Sequence, residues 1–244
     1  MELTKDLPSS FTGRAGSVPL GGIYPLSVTQ GYQSGEIYEL GRCAVIHHYC
    51  GFAFLLGEPT QKELEILYDN MLRDRRFVLF CSDERQLAFF NCKEDISTGT
   101  RCFYEYGGSE PKTAALPSGF SVRVLDEELI MRLGGRIVPS FSWKDNKEFL
   151  KGRGYCIMDG DTPAAWAFSA AVSDSELDIG VETAEPYRGK GLAGIAGGEM
   201  IRYALSIGRK PVWACDSRNT ASARTAEKLG FAKIGECSTV IRTK

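Results

Sequence analysis

Histidine and paired cysteines are scarce in this sequence. Only two histidines occur in 244 residues, next to each other at His47 and His48, and no acidic residue or cysteine stands near them at the spacing of a metal-ligand set. The eight cysteines include no Cys-x-x-Cys pair, which argues against zinc and dithiol motifs. We therefore predict no bound metal, and we expect the cysteines to be buried thiols rather than disulfides.

Long apolar runs are also lacking. The longest ones, such as residues 52–56, fall far short of the roughly 18 residues that a membrane span needs. No apolar run follows a basic head within the first residues, so we expect neither a secretory leader nor a membrane partner. Together with the cysteine pattern, these observations predict a cytoplasmic protein.

A large excess of charge of one sign is lacking too. The 29 Lys and Arg nearly balance the 31 Asp and Glu, and the net charge of −2 argues against a nucleic-acid partner. Residues 186–233 are an exception, with nine Lys and Arg against three Asp and Glu. A basic stretch within a nearly neutral protein indicates a small anionic ligand rather than a polyanion.

The chain length and the apolar pattern predict a mixed α/β protein in two parts. At roughly 150 residues per domain, the chain makes one large domain or two small ones. Residues 8–35 are rich in Pro, Gly and Ser, and we expect an irregular lead-in there. Glycine and proline clusters at 107–119 mark a boundary. The predicted domains are residues 1–119, with strand–helix–strand content, and residues 120–244, with strands followed by β-α-β-α-β.

A strand in strict alternation is predicted at residues 176–183. One face carries Leu177, Ile179 and Val181, and the other carries Glu176, Asp178, Gly180 and Glu182. The three carboxylates are candidate general bases, with Glu182 and Glu176 ahead of Asp178. The alternative interpretation is a solvated face of the sheet.

A glycine-rich segment, Arg-Gly-Lys-Gly-Leu-Ala at 188–193, follows this strand and begins a predicted helix. Glycines let the backbone approach a ligand closely, and the first N–H groups of a helix have no partner within it. With the helix dipole and the cations of Arg188 and Lys190, they predict an anion site of phosphate size. A glycine-rich turn with solvated cations is the alternative.

Three phosphate-binding patterns compete for this segment. The P-loop requires Ser or Thr after Gly-Lys, and here Gly191 follows Lys190. The dinucleotide fingerprint is matched by Gly189, Gly191 and Gly194, with Asp216 near the position of a ribose-binding acid. However, five residues separate the strand from the first glycine, and only 28 residues follow Asp216. An NAD site is therefore disfavoured.

The third pattern, Arg-x-x-Gly-x-Ala, is met by Arg188, Gly191 and Ala193. About 30 residues later come Asn-Thr-Ala-Ser at 219–222 and Ala-Glu-Lys-Leu-Gly-Phe at 226–231. In this order the motifs resemble those of the GNAT superfamily of acyl-CoA-dependent N-acyltransferases.

The second half of the chain is similar to one branch of that superfamily, which contains the zwittermicin-resistance acetyltransferases. This similarity covers residues 120–240, whereas residues 1–119 match only that branch and more loosely. The residues that carry it, beyond the two motifs, are Gly135, Pro139-Ser140-Phe141, Gly154-Tyr155-Cys156 and Pro211-Val212-Trp213.

The resemblance implies a fold and a reaction. Residues 120–244 would form a GNAT-like mixed sheet with splayed central strands, and residues 1–119 an α/β domain over the acceptor site, compatible with a degenerate copy of the same fold. Acetyl-CoA would be the co-substrate, a small-molecule amine the acceptor, and the protein a monomer or homodimer. The cofactor-binding residues implied are Val181, Glu182, Thr183, Arg188, Gly189, Lys190, Gly191, Leu192, Ala193, Asn219 and Ser222.

Some roles stay open at this point. Asn219 would bond the pantetheine arm and Ser222 would line the cofactor, yet either residue is also a good helix N-cap. Many relatives carry a tyrosine acid seven residues after the asparagine, where this sequence has Ala226. A CoA-binding regulatory or scaffold protein without turnover is therefore the second functional hypothesis.

Overall fold

The two halves of the chain repeat one order of strands and helices. The computed structural model describes residues 2–4, 8–71 and 75–243. The first half contains β1 (Glu2–Leu3), α1 (Thr12–Ala15), α2 (Ile23–Thr29), β2 (Gly35–Leu40), β3 (Cys43–His48), β4 (Phe52–Leu56), α3 (Gln61–Asn70), β5 (Val78–Cys81), α4 (Glu84–Asn91) and β6 (Ile96–Tyr106). The second half contains β7 (Phe120–Val124), α5 (Glu127–Arg132), α6 (Asn146–Phe149), β8 (Gly154–Asp159), β9 (Thr162–Val172), β10 (Glu176–Thr183), α7 (Leu192–Ser206), β11 (Lys210–Asp216), α8 (Thr220–Leu229) and β12 (Phe231–Arg242).

The two halves share one sheet. Within the described residues, twelve strands form it in the order β1-β2-β3-β4-β5-β12-β6-β11-β10-β9-β8-β7. Each strand of one half has a counterpart in the other half, from β1 and β7 to β6 and β12. If every strand is replaced by its counterpart, the order read from one edge of the sheet becomes the order read from the other edge. The last strand of each half crosses over, because β6 lies between β11 and β12, and β12 lies between β5 and β6. The predicted mixed α/β fold class is confirmed.

The central strands β10 and β11 splay, as predicted. They pair in parallel from Glu176 and Lys210 to Asp178 and Val212. Beyond that point β10 pairs only with β9, as far as Thr183, and β11 pairs only with β6. A wedge therefore opens between them toward the carboxyl ends of both strands.

Helices cover both faces of the sheet in the second half. Leu177 and Ile179 of β10 lie in one core with residues of α7 and α8. Side chains alternate along a strand, and the intervening Asp178 meets α2 on the other face, where Tyr24 bonds it. The wedge is thus bordered by α7 and α8 on one side and by the N-terminal helices on the other.

The expectation of an irregular lead-in at residues 8–35 was wrong. This segment forms α1 and α2, and Gln33 then ties it to the second half. The side-chain amide of Gln33 donates to the carbonyls of Ser142 and Ala170, both at 3.0 Å, and its oxygen accepts from the amide of Val172. Helices this short gain their stability from packing rather than from local pattern, which is why periodicity did not reveal them.

The cysteines, the absence of a metal site and the absence of a membrane span are expectations that concern the whole chain. All eight cysteines are free, and seven are buried as expected, but Cys92 is exposed at the end of α4. Among the described residues, no group of His, Cys, Asp and Glu is arranged to hold a metal ion. None of the described helices combines the length and the apolar character needed to cross a membrane.

Candidate functional site

One edge of β10 lacks a strand partner beside the wedge. The amide of Lys210 in β11 donates to the carbonyl of Ser175, whereas the amide of Ala184 donates to Ala164 at the start of the neighbouring β9. Backbone groups of alternate residues point to opposite sides of a strand, so odd-numbered residues of β10 face β11. Because the pairing with β11 ends at Asp178, the backbone groups of Ile179, Val181 and Thr183 face the open wedge.

This alternation changes the list of predicted backbone contacts. Glu182 is even-numbered like Ala184, whose amide donates to β9, so the amide and carbonyl of Glu182 face away from the wedge. Ile179 is instead the first residue past the β10–β11 pairing whose backbone faces the wedge, and it was not among the predicted residues. The even-odd pattern could have identified Ile179, had the direction of the neighbouring strands been known.

The helix that follows β10 begins without a side-chain cap. Gly191 is the N-cap of α7 and has φ 76°, and Gly189 has φ 79°. Such left-handed conformations favour glycine, and the first residues of α7, Leu192 and Ala193, line the same groove as Thr183 at the end of β10. An uncapped helix N-terminus attracts anions through these amides and the helix dipole.

The counterpart helix α3 in the first half is closed to anions. The hydroxyl of Thr60 accepts from the amide of Glu63, and the carboxylate of Glu63 accepts from the amide of Thr60 at 2.6 Å. This capping box places a negative charge at the helix N-terminus. Of these two helices, α3 therefore has a capped N-terminus and α7 an uncapped one.

A groove of about 710 Å³ runs from the wedge along α7 and α8. All of the residues predicted to bind the cofactor, except Lys190, line this groove: Val181, Glu182, Thr183, Arg188, Gly189, Gly191, Leu192, Ala193, Asn219 and Ser222. The ammonium of Lys190 instead lies 5.1 Å from the ring centre of Tyr187. The groove is thus continuous from the free edge of β10 to the uncapped helix.

Two basic residues that were not among the predicted ones, Lys112 and Lys228, also line this groove. Lys112 belongs to the segment at 107–119, which packs along α7 and α8. The amide of Lys112 donates to the carbonyl of Leu229, and the guanidinium of Arg202 bonds Glu110 at 2.6 Å. The glycine and proline clusters at 107–119 indicate a boundary and give no sign that the segment lines a groove.

Asn219 and Ser222 both make structural contacts within the groove. The side-chain oxygen of Asn219 caps α8 by accepting from the amide of Ser222 at 3.1 Å, and the indole of Trp213 donates to the hydroxyl of Ser222 at 3.0 Å. Asn219 is therefore the N-cap of α8, as the alternative interpretation predicts. Its side-chain amide nitrogen takes no part in that cap.

The three carboxylates of β10 lie in different surroundings. Glu182 accepts from the amides of Arg136 and Ile137, at 2.9 and 2.5 Å, and so holds the loop after α5. Glu176 is half-buried, and burial raises its pKa. Asp178 is only 4% exposed, and burial raises its pKa to about 6. For Asp178, the interpretation as a solvated sheet face was wrong, because the N-terminal segment covers it.

Comparisons with known proteins match nearly the whole chain. The model of the GNAT acetyltransferase family matches residues 27–240. The "Uncharacterized N-acetyltransferase YdfB" of Bacillus subtilis (strain 168) is 26% identical over 197 residues, which are 76% of this chain and 76% of that protein.

Solved structures share the fold. A GCN5-related N-acetyltransferase-like protein from Streptococcus suis has a TM-score of 0.73 at 22% identity, covering 96% of this chain and 98% of its own. A tandem GNAT protein from the clavulanic acid biosynthesis pathway has a TM-score of 0.60 at 12% identity, covering 96% and 90%. Two halves joined in one chain are thus an architecture that a solved protein shares.

Proposed function

Because the chain belongs to the GNAT acetyltransferase family, we propose that it transfers an acetyl or other short acyl group from acyl-CoA directly to a primary amine of a small molecule. The observation that carries this proposal is the wedge between β10 and β11, whose free backbone edge leads to the uncapped start of α7. A thioester of CoA would supply the activated acyl group, with its extended arm along the free edge of β10 and its phosphates at the start of α7.

The phosphates would be held at the start of α7. The amides after Gly189 and Gly191 would bind the pyrophosphate, with Arg188 beside them. Lys112 and Lys228, the other basic residues that line the groove, would neutralise the 3′-phosphate. The capped α3 supports a single cofactor site, in the second half.

The free edge of β10 would align the pantetheine arm and the reacting carbonyl. Val181 and Thr183 would pair with the arm as a neighbouring strand does. The amide of Ile179, the first donor past the last β10–β11 pair, would stabilise the oxyanion of the tetrahedral intermediate. Loss of one such donor typically raises the barrier by about 3–4 kcal/mol.

The position of the family's tyrosine acid is filled by a buried alanine. Ala226 is fully buried in α8 and carries no proton donor. We infer that the thiolate leaves without a protein acid at this position, which is chemically reasonable for a good leaving group. This absence is also the feature that favours a non-catalytic CoA-binding role. Tight acetyl-CoA binding without hydrolysis or transfer across a broad panel of amines would establish that second role.

The remaining proposals concern organisation and setting. The repeated order of strands and helices supports a degenerate copy of the GNAT fold in residues 1–119, joined to residues 120–244 through 107–119. Membership of the zwittermicin-resistance-type branch is likewise a proposal, supported by the sequence similarity over residues 120–240. The free cysteines favour a reducing compartment and hence the cytoplasm.

Two variants of Asn219 separate its structural contact from cofactor binding. Asn219→Ala removes the cap of α8 and should lower the free energy of unfolding by about 1 kcal/mol. Asn219→Ser keeps a good cap but lacks the amide nitrogen, so it should unfold like the wild type and bind acetyl-CoA about tenfold more weakly. Urea unfolding and isothermal titration measure the two effects.

The wild-type titration tests the proposed function itself. No heat of binding with millimolar acetyl-CoA would contradict it, and retained binding of NAD would point to the disfavoured dinucleotide site instead. If Asn219→Ser binds acetyl-CoA as tightly as the wild type, Asn219 is a helix cap and no more.

A further inference from the structure

A second cavity, of about 260 Å³, lies where β10 and β11 still pair. Residues 16–26 form its outer wall, and β6, β10 and β11 form its floor. Asp178 and Val212, the last pair before the wedge opens, both line it. The cavity therefore ends at the residues from which the free backbone edge begins, on the face opposite α7.

The charged groups of this cavity are all acidic. Glu105, Glu176 and Asp178 line it, and its lining includes no Lys, Arg or His. Glu105 is paired with Lys210 at 3.0 Å, and the same cation opposes the burial that raises the pKa of Glu176. Asp178 is therefore the lining carboxylate without a lysine beside it. The remaining wall is largely apolar, formed by Val18, Leu20, Ile23, Leu26, Phe103 and Val212. Such a lining stabilises an organic cation with an apolar body and repels an anion.

Asp178 has one satisfied and one unsatisfied oxygen. Its Oδ2 accepts from the hydroxyl of Tyr24 at 2.5 Å. Its Oδ1 is buried and has no hydrogen-bond partner in the described chain. A buried carboxylate oxygen without a donor is costly, and its presence at the wall of a cavity indicates a place where a ligand supplies the donor.

We propose that this cavity is the acceptor site and that it takes a primary amine on an apolar body without a carboxylate or phosphate. Asp178 accepts the proton of the amine, and Tyr24 holds Asp178 in place. This inference rests on the acyl transfer proposed above and names its substrate class, its base and a positioning residue. Tyr24 comes from the first half of the chain, so the N-terminal helices complete the site of the second half.

The acyl transfer moves two protons from the nitrogen and exchanges a carbon–sulfur bond for a carbon–nitrogen bond. The bound ammonium gives one proton to Oδ1 of Asp178 and becomes a neutral amine. Its lone pair forms a bond to the thioester carbonyl carbon, and the carbon–sulfur bond then breaks. The second proton lost by the nitrogen goes to the departing sulfur, and Asp178 releases its proton to solvent after the amide leaves.

Several groups face Asp178 and set its proton affinity. Burial raises its pKa, while the hydrogen bond from Tyr24, the cation of Arg101 on β6 and the nearby backbone amide of Ile179 lower it, and Glu176 on the same strand raises it. Around Tyr24, the ring of the buried His48 lies 5.2 Å away, and Cys50 is also buried. Burial raises the pKa of the Tyr24 hydroxyl well above its usual value, so Tyr24 remains a donor to Asp178.

The test compares Tyr24→Phe with a matched control, Tyr32→Phe. Tyr32 also ties the N-terminal segment to the second half, through Asp174 at 2.8 Å, but it does not line the cavity. Loss of the Tyr24 hydroxyl removes a bond that favours the charged carboxylate, so the acidic limb of the kcat/KM–pH profile should move up by about one pH unit. Tyr32→Phe should leave that limb in place. An unmoved limb in Tyr24→Phe would overturn the role of Tyr24.

Asp178→Asn tests the base. Asparagine can still accept from Tyr24, so the variant should fold and bind acetyl-CoA with wild-type affinity, while turnover falls at least about a hundredfold. Turnover near the wild-type level would overturn the assignment. A wild type that fails to bind acetyl-CoA would instead contradict the proposed function, so the two failures are distinguishable.

An amine panel tests the substrate class. Primary amines with apolar bodies should be acetylated with kcat/KM at least about tenfold above matched amines that carry a carboxylate. A preference for the carboxylate-bearing amines would overturn the proposed class.

Discussion

Replacing Gly191 by valine should weaken acetyl-CoA binding by at least about a hundredfold. Gly191 holds φ 76°, a conformation that β-branched residues avoid at a cost of about 1–3 kcal/mol. Relaxing this strain turns the first amides of α7 away from the groove, and the added side chain stands where the proposed pyrophosphate lies. Isothermal titration of the Gly191→Val variant with acetyl-CoA measures the loss.

Gly208→Val is the matched control for this effect. Gly208 lies just beyond the other end of α7, at φ 71°, and like Gly191 it has open space around an added Cβ. The two variants should lose similar stability, since they carry the same backbone strain. Only Gly191→Val should lose acetyl-CoA. Equal affinities in the two variants would show that the start of α7 does not hold the phosphates.

The isolated fragment of residues 120–244 should fail to fold. In the full chain, β6 pairs with β11 from Arg101 to Glu105 and with β12 from Ile96 to Tyr106. Its side chains Cys102, Tyr104 and Tyr106 also belong to the core beneath α7 and α8. Without β6, β11 and β12 are separated by a strand-wide gap, and an apolar surface is exposed.

Circular dichroism and urea unfolding test this expectation. The fragment alone should show no cooperative transition, whereas co-expression with residues 1–119 should restore one together with acetyl-CoA binding. A cooperative transition of the isolated fragment would mean that residues 120–244 form an autonomous domain. The crossing of β6 and β12 would then be unnecessary for its stability.

The parts of the site that depend only on residues adjacent in the sequence could be predicted from the sequence. The glycines at 189 and 191 have their effect within one turn, so the spacing from Arg188 to Ala193 was enough to predict a glycine-rich turn at the start of α7. The alternation at 176–183 likewise follows from the geometry of a single strand. Both are local properties of the backbone.

The features missed depend on contacts between distant segments. Tyr24 reaches Asp178 across 154 positions of the chain, and no local pattern records such a contact. The crossing of β6 between β11 and β12 leaves no trace in the hydrophobic period of any of the three strands. For the same reason the sequence does not distinguish the surroundings of Glu182 from those of Asp178, since the neighbours that bury or bond a carboxylate come from other elements.

Amide hydrogen exchange by NMR tests the central claim, that the free edge of β10 and the start of α7 bind acyl-CoA. In the apo protein the amides of Gly180 and Glu182 face β9 and should exchange slowly, whereas those of Val181 and Thr183 face the wedge and should exchange faster. Saturating acetyl-CoA should slow Val181 and Thr183 about tenfold or more, together with the amides at 189–193. Unchanged exchange at these positions, with acetyl-CoA bound, would contradict the account.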